Sequence, residues 1–258
     1  METRGPGRAV VEAVVPDAPR AGLRPLLTQR WRDLAMLHWA VDPAAVAPLL
    51  PVGTVPDVFE GVAYVGLIAF RMEGVGFFRL PGVPYFGTFA ETNVRLYSVD
   101  ERGRRAVVFR SLEASRLVPV LVARAAFRLP YMWARMRVLR DGPVLTYTSG
   151  RRWPGPVGAA ARIRIRAGER IAEPSPLEHF LTARWALHTT VAGRLVHLPN
   201  AHPRWALHRA ELLECRETLI GAGGLPAPVG PPASVLYSPG VPVRFGRPDS
   251  WGSASPRP

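Results

Sequence analysis

The chain of 258 residues is 48% hydrophobic and 21% charged, a composition typical of a globular protein rather than a disordered one. Its longest apolar run, residues 62–70, is about half as long as a membrane-spanning helix needs to be. The N-terminus has basic residues but no continuous apolar segment, which argues against a signal peptide. The single cysteine, Cys215, excludes an internal disulfide and fits a reducing compartment. We therefore expect a cytoplasmic protein that does not associate with membranes.

The formal net charge is +13, and all 33 basic residues are arginine, because the sequence contains no lysine. This arginine-rich usage, together with abundant Ala, Gly, Pro and Val, is typical of a GC-rich genome. The absence of lysine excludes Schiff-base catalysis and phosphate binding by a lysine. We expect no specific nucleic-acid partner, because the arginines are dispersed and no helix-turn-helix, zinc-finger or RNA-binding motif occurs.

Composition divides the chain into three parts. Residues 1–24 are interrupted by proline and glycine before any hydrophobic pattern begins, and we expect a flexible N-terminal arm. Residues 25–248 contain neither a linker nor an internal repeat, which favours a single domain. Residues 249–258 are predicted to be a disordered tail.

Three short helices are predicted from capping residues. The N-caps are Asp42 before Pro43, Ser115 before a helix that ends at Phe127, and Ser175 before Pro176, with Glu178 completing a capping box.

Apolar and alternating segments predict strands through the rest of the domain. The predicted strands are residues 63–70, 92–99, 106–112, 131–140, 144–148 and 162–166, followed by a loop at 221–234 and an ordered segment at 235–246. Turn-forming residues at 100–104 and 141–143 predict two hairpins. Many strands with few helices indicate a mainly β barrel or sandwich.

One predicted strand carries a row of polar side chains. Period-two geometry places Glu91, Asn93, Arg95 and Tyr97 on one face, while the other face is apolar. This row either faces water, as polar strand faces usually do, or lines the interior of a barrel. In the second case an enclosed glutamate and arginine would hold a small polar ligand.

The histidines give no metal-binding pattern, since neither an HExxH motif nor a pair at i, i+4 spacing occurs. We therefore expect no metal. His38 lies in an apolar, strand-like run, where it is either a core histidine or a contact in a cavity. No GxSxG, GxGxxG or phosphate-loop motif is present, so we also expect no cofactor.

Several motifs, in order along residues 29–245, resemble those of the YqjF-like family. They are WRDLAMLHWAVDP…LLP (31–51), VFEGVAYVGLIAFRM (58–72), FAETNVRLY (89–97), FRSLEAS (109–115), ARAAFRLPYMWARM (123–136), FLTARW (180–185), HPRWALHRAE (202–211) and YSPGV (237–241). This bacterial family of unknown function is grouped in the acetoacetate decarboxylase-like superfamily. The resemblance implies a mainly β, barrel-like fold around an enclosed pocket.

The resemblance also implies which residues occupy the pocket. In the decarboxylases a lysine pair after a proline supplies the Schiff base, and a glutamate and an arginine assist. Here Tyr131 and Met132 follow Pro130 at the matching place, and Glu91 corresponds to the glutamate. The resemblance does not settle which arginine corresponds, and Arg95 is one candidate. Without lysine no imine forms, so we predict that the chain is not an acetoacetate decarboxylase.

Our interpretation is a pocket that binds a small polar or acidic metabolite, such as an organic acid. If the protein is an enzyme, Glu91 and Tyr131 would catalyse cofactor-free acid–base chemistry. The predicted substrate-binding residues are Asn93, Arg95, Tyr97 and His38. Two alternatives stay open at this stage: a non-catalytic scaffold protein that binds polyanions weakly through its arginines, and a polar row that is only an internal salt-bridge network.

Overall fold

The computed structural model describes residues 9–20, 22–78 and 80–250. Within these residues the protein is mainly β, with four short α-helices. The strands are β1 (Leu27–Val41), β2 (Thr54–Pro56), β3 (Ala63–Phe77), β4 (Phe89–Asp100), β5 (Arg105–Ala114), β6 (Tyr131–Asp141), β7 (Val144–Trp153), β8 (Ala160–Arg170), β9 (Ala186–Val191), β10 (Arg194–Ala201), β11 (His208–Glu217), β12 (Ser234–Phe245) and β13 (Asp249–Ser250). The helices are α1 (Pro43–Val46), α2 (Leu117–Phe127), α3 (Pro176–Thr182) and α4 (Leu219–Ala222). None of these described helices has the length and apolar character to cross a membrane.

The strands form two closed rings that share a wall. The first ring runs β5–β6–β7–β8–β11–β12–β1–β3–β4 and closes through the pairing of β4 with β5. In the second ring, β9 and β10 connect β5 to β12, so that β12, β1, β3, β4 and β5 belong to both rings. Neither ring is a regular barrel, because β5 pairs in parallel with β6 at only three residues and with β9 at one.

The shared wall packs against a hydrophobic core on each face because its strands alternate side chains between the two rings. On β1, Ala35 and Leu37 belong to the core of the first ring, whereas Leu34 and Met36 belong to a separate core in the second. Tyr147 and Ile163, contributed by the outer strands, help to fill the first ring. Burial of each large apolar side chain contributes roughly 1.5–3 kcal/mol, so both rings depend on this alternation.

The predicted caps of α1 and α3 are present. The Asp42 side chain accepts a hydrogen bond from the backbone N–H of Ala44, and Ser175 and Glu178 form a reciprocal capping box. The predicted cap of α2 was wrong. Arg116 occupies the N-cap position, and Ser115 Oγ instead accepts a hydrogen bond of 3.1 Å from the backbone of Ala90. Ser115 therefore ties the end of β5 to the start of β4.

Described residues of the predicted N-terminal arm contact the domain. The backbone N–H of Glu12 donates to Gly103 O at 2.9 Å, and the indole of Trp185 donates to Val15 O at 3.0 Å. At the other end, Asp249–Ser250 form a strand that pairs with β10, although they fall within the predicted tail. Residues 1–8 of the arm and 251–258 of the tail lie outside the described residues. The division into arm, domain and tail stays a prediction.

Candidate functional site

The second ring encloses a cavity of about 260 Å³. Apolar side chains form most of its wall, with Met36 from β1, Phe70 from β3 and Leu112 from β5 among them. Helix α2 and residues 83–87, which belong to the connection between β3 and β4, cover one end. A concave, mostly apolar space with a few polar groups is the usual form of a small-molecule site.

Most of the polar row of β4 faces this cavity instead of solvent. Glu91, Asn93 and Arg95 all line the space, and the exposed fractions of Glu91 and Asn93 are only 3% and 4%. Strand β4 lies between β3 and β5 in the wall shared by the two rings, so its side chains point into one ring or the other instead of toward water. The alternation predicted for this strand therefore places an acid, an amide and a guanidinium along one wall of the cavity.

Glu91 has the electrostatic properties of a proton-transfer group. Burial raises the pKa of its carboxyl from 4.5 to about 7, against the opposing effect of hydrogen bonds from Tyr131 and Asn93. The Tyr131 hydroxyl donates to Oε2 at 2.9 Å, and Asn93 Nδ2 donates to Oε1 at 3.4 Å. Burial also raises the pKa of Tyr131 well above its ordinary value, so its phenol keeps its proton and acts as a donor.

Asn93 presents an unused acceptor. Its Oδ1 atom is buried and has no hydrogen-bond partner among the described residues. The amide is oriented by its own hydrogen bond to Glu91, which leaves Oδ1 to accept from another donor. A buried acceptor without a partner costs about 1–3 kcal/mol, so a bound hydroxyl, amine or water would stabilise this position.

Tyr97 and His38 lie beyond Arg95, and neither is among the residues that line the cavity. The Tyr97 hydroxyl donates to Leu181 O at 3.0 Å, accepts from Arg95 Nε at 3.2 Å and is 2.9 Å from His38 Nε2. Burial, together with the charges of Arg95 and Arg184, holds the pKa of His38 well below its ordinary value. The structure thus brings both residues into a network that positions Arg95, and direct ligand contact by them stays a prediction.

Gly66 provides the space for this network. It lies on β3 directly between His38 on β1 and Arg95 on β4. A Cβ atom at this position would lie 3.1 Å from His38 Cδ2 and 3.2 Å from Arg95 Cγ, which is closer than ordinary van der Waals contact. The missing side chain of Gly66 therefore allows two large side chains to meet over a central strand.

Arg184 is a part of the site that sequence reasoning missed. It forms a buried ion pair with Asp57, and its guanidinium carbon lies 4.6 Å from the ring centre of Tyr97 and 4.2 Å from that of Phe180. Burial lowers the pKa of Arg184. The FLTARW motif at residues 180–185 was the signal available in the sequence, but its contact with Tyr97 depends on the folded chain.

The described residues contain no group of three or more His, Cys, Asp or Glu arranged to hold a metal ion. His188 and His197 lie close together, with their ring centres 5.4 Å apart. His188 Nδ1 is 2.8 Å from Ser98 Oγ, so one of its nitrogens already has a protein partner. Burial lowers the pKa of His197 to about 4, which keeps it neutral near pH 7.

The fold is that of the acetoacetate decarboxylase-like proteins. The enduracididine biosynthesis enzyme MppR, solved as a complex with pyruvate, is similar over 90% of this chain and 93% of its own, with a TM-score of 0.62 and 15% identity. The acetoacetate decarboxylase of Legionella pneumophila is similar over 88% of this chain and 89% of its own, with a TM-score of 0.56 and 15% identity. At 15% identity, these structural similarities show a common fold and nothing more. They confirm the predicted fold class.

The sequence comparison is more specific. The DUF2071 family, described as an uncharacterized conserved protein, matches residues 28–242, and the chain belongs to this family. The uncharacterized protein YqjF of Bacillus subtilis (strain 168) is 30% identical over 207 residues, which are 80% of this chain and 85% of YqjF. The predicted resemblance to the YqjF-like family is thereby confirmed.

Proposed function

We propose that the cavity binds a small organic acid and that Glu91 exchanges a proton with it in a reaction that uses no imine. The observation that carries this proposal is the Glu91 carboxyl, which is buried on the cavity wall and has a pKa of about 7. A general acid or base works best when its pKa is close to the pH at which it operates. Strongly shifted carboxyls in cavities are also typical of functional sites.

The hydrogen bonding of Arg95 is an argument for an anionic ligand. Its guanidinium donates to the Tyr97 hydroxyl and to Leu181 O, and it forms no ion pair with a carboxylate among the described residues. An arginine without an ion-pair partner beside an apolar cavity favours a carboxylate, which it can bind through two parallel hydrogen bonds. MppR has been solved with pyruvate, so 2-keto acids belong among the first candidates.

The residues that replace the lysine pair favour proton transfer without an imine. Tyr131 follows Pro130, and its hydroxyl donates a hydrogen bond to the Glu91 carboxylate. Decarboxylation of a β-keto acid requires an electron sink, and a chain without lysine cannot supply a protonated imine. Isomerisation, dehydration or hydrolysis of an acid are reactions that a glutamate and a tyrosine can support.

The test is a thermal-shift screen of keto, hydroxy and simple carboxylic acids against the wild type, Glu91→Gln and Arg95→Gln. A ligand at 100 times its Kd should stabilise the wild type by about 2.7 kcal/mol. We expect that stabilisation to vanish in Arg95→Gln and to persist in Arg137→Gln, a matched control whose arginine is exposed on β6. Each acid that stabilises both the wild type and Glu91→Gln is then assayed for turnover by the two proteins. We expect turnover only by the wild type.

Two results would overturn the proposal. If no acid stabilises the wild type and both site variants are merely less stable, the polar row is an internal network without a ligand. If acids stabilise Arg95→Gln as much as the wild type, they bind outside this cavity.

A further inference from the structure

We infer that the ligand is an elongated monocarboxylic acid with an apolar body of about seven carbons, alkyl or aryl, bound with its carboxylate against Arg95. This inference rests on the proposed acid-binding function of the cavity. It rests on four features of the cavity: its lining, the spacing of its polar groups, its volume and its mouth.

The lining separates a polar wall from an apolar remainder. Glu91, Asn93 and Arg95 all come from β4. The other walls are formed mainly by aliphatic and aromatic side chains, with the polar groups of Gln29 and Tyr131 among them. A ligand that is polar over its whole surface would lose hydration on these walls without gaining hydrogen bonds. The ligand is therefore apolar over most of its length.

The spacing of the polar groups requires length. Glu91 and Arg95 are four residues apart on β4, which corresponds to about 13 Å between their Cα atoms. Arg95 also leans further along the strand, because Nε donates to the Tyr97 hydroxyl at 3.2 Å and Nη2 donates to Leu181 O at 3.3 Å. A four-carbon keto acid held by Arg95 would stop short of Glu91, whereas a longer acid would place a carbon of its chain beside Glu91, where the proposed proton exchange takes place.

The volume sets the size of this ligand. Cavities of about 150 Å³ hold a benzene molecule, or roughly 25 Å³ for each of its six carbons. At that ratio, the cavity of about 260 Å³ holds about ten non-hydrogen atoms. A straight-chain acid of eight carbons has this number of atoms.

The mouth of the cavity is apolar and lies at the end away from Arg95. Val83, Phe86, Val118 and Val122 line the cavity and are 39%, 40%, 46% and 45% exposed. They belong to the connection that precedes β4 and to helix α2, so Glu91 lies nearer to them than Arg95 does. A hydrocarbon tail that ends at the mouth would cover apolar side chains that are otherwise exposed to solvent.

The test is calorimetry with straight-chain acids from butanoate to dodecanoate and with the matching primary alcohols. We expect the Kd to fall about fourfold for each added methylene up to about eight carbons, and then to level off. Each alcohol should bind at least tenfold more weakly than the acid of the same length. Arg95→Gln should remove this preference for the acid while keeping the dependence on chain length.

A variant at the mouth tests the orientation. Val122→Trp narrows the opening at a half-exposed position and should shorten the best chain. Val229→Trp is the matched control, because Val229 is 97% exposed and is not a cavity residue.

The outcomes separate this inference from the function on which it rests. Binding of short acids with no gain on lengthening would overturn the inference and leave the proposed function standing. Equal shortening of the best chain by both tryptophan variants would overturn the orientation. If neither short nor long acids bind, the proposed function itself is wrong.

Discussion

The hydroxyl of Tyr131 on β6 donates a hydrogen bond of 2.9 Å to Glu91 on β4, across the intervening strand β5. Burial raises the pKa of Glu91, and this hydrogen bond lowers it, so that the resulting value of about 7 is a balance of the two. Disturbing either effect should move the protonation of Glu91 across the neutral range.

The first prediction concerns the pH dependence of stability. The pKa of Glu91 is about 7 in the folded protein and 4.5 when exposed, so the folded state holds the proton more tightly. Its contribution to stability is complete below pH 4.5 and is lost as the pH rises to 7, a total of about 3 kcal/mol. We expect Glu91→Gln to remove this loss. Urea unfolding at several pH values measures it, with Glu101→Gln on an exposed turn as the control. Parallel curves for Glu91→Gln and the wild type would contradict the pKa shift.

The second prediction isolates the tyrosine. Tyr131→Phe removes the hydrogen bond that favours the ionised form of Glu91, so the pKa of that carboxyl should rise further above 7. Hydrogen bonds to charged groups contribute about 1.5–3 kcal/mol, which corresponds to a rise of about 1–2 pKa units. Carbon NMR of the labelled carboxyl measures the midpoint. A midpoint equal to or below that of the wild type would show that Tyr131 does not control this proton.

The third prediction concerns the space at Gly66. A Cβ at this position would press on His38 and Arg95, so Gly66→Ala should weaken acid binding at least tenfold and cost about 1–3 kcal/mol of stability. Gly150→Ala is the matched control on β7, because a Cβ there meets no atom within 4 Å. That control should be neutral or slightly stabilising. Normal binding by Gly66→Ala, measured by calorimetry, would show that the network tolerates displacement of Arg95.

The fourth prediction concerns a buried ion pair on the other side of the shared wall. Glu113 on β5 and Arg151 on β7 are almost completely buried, with Nη2 and Oε1 2.5 Å apart. Glu113→Leu or Arg151→Met alone leaves one buried charge without its partner and should cost about 3–5 kcal/mol. The double variant should cost less than either single variant, because neither charge then remains. Urea unfolding of all four proteins tests this, and additive losses would show that the two residues do not depend on each other.

The periodicity of single strands accounts for the part of the site that sequence reasoning found. Alternation along residues 91–97 placed Glu91, Asn93 and Arg95 on one face, and the structure shows that face in the cavity. The same alternation also includes Tyr97, which lies past the end of the cavity. The pattern alone could not show that Tyr97 differs in this way from the other three residues. That difference depends on Leu181 and His38, which come from distant segments.

Long-range pairing accounts for what the sequence left out. The pattern predicted strands 63–70 and 106–112, but β3 continues to Phe77 because its ladder with β1 continues. The closure of the second ring through β10 and β12 depends on contacts at only two residue pairs. No periodicity reveals a contact of this kind. Ser115 was misassigned for a similar reason, since Ala90 on another strand competes successfully for its hydroxyl.

The shared wall gives neighbouring positions on one strand separate tasks. Val94 packs in the core of the first ring, whereas Asn93 and Arg95, its neighbours in the chain, face the cavity of the second ring. Substitutions at alternate positions can therefore change the cavity wall while the packing on the reverse side is preserved. An insertion or deletion of one residue would exchange the two sets and damage both rings at once. Point substitutions along β1, β3 and β4 can reshape the cavity only while the length of those strands is held constant.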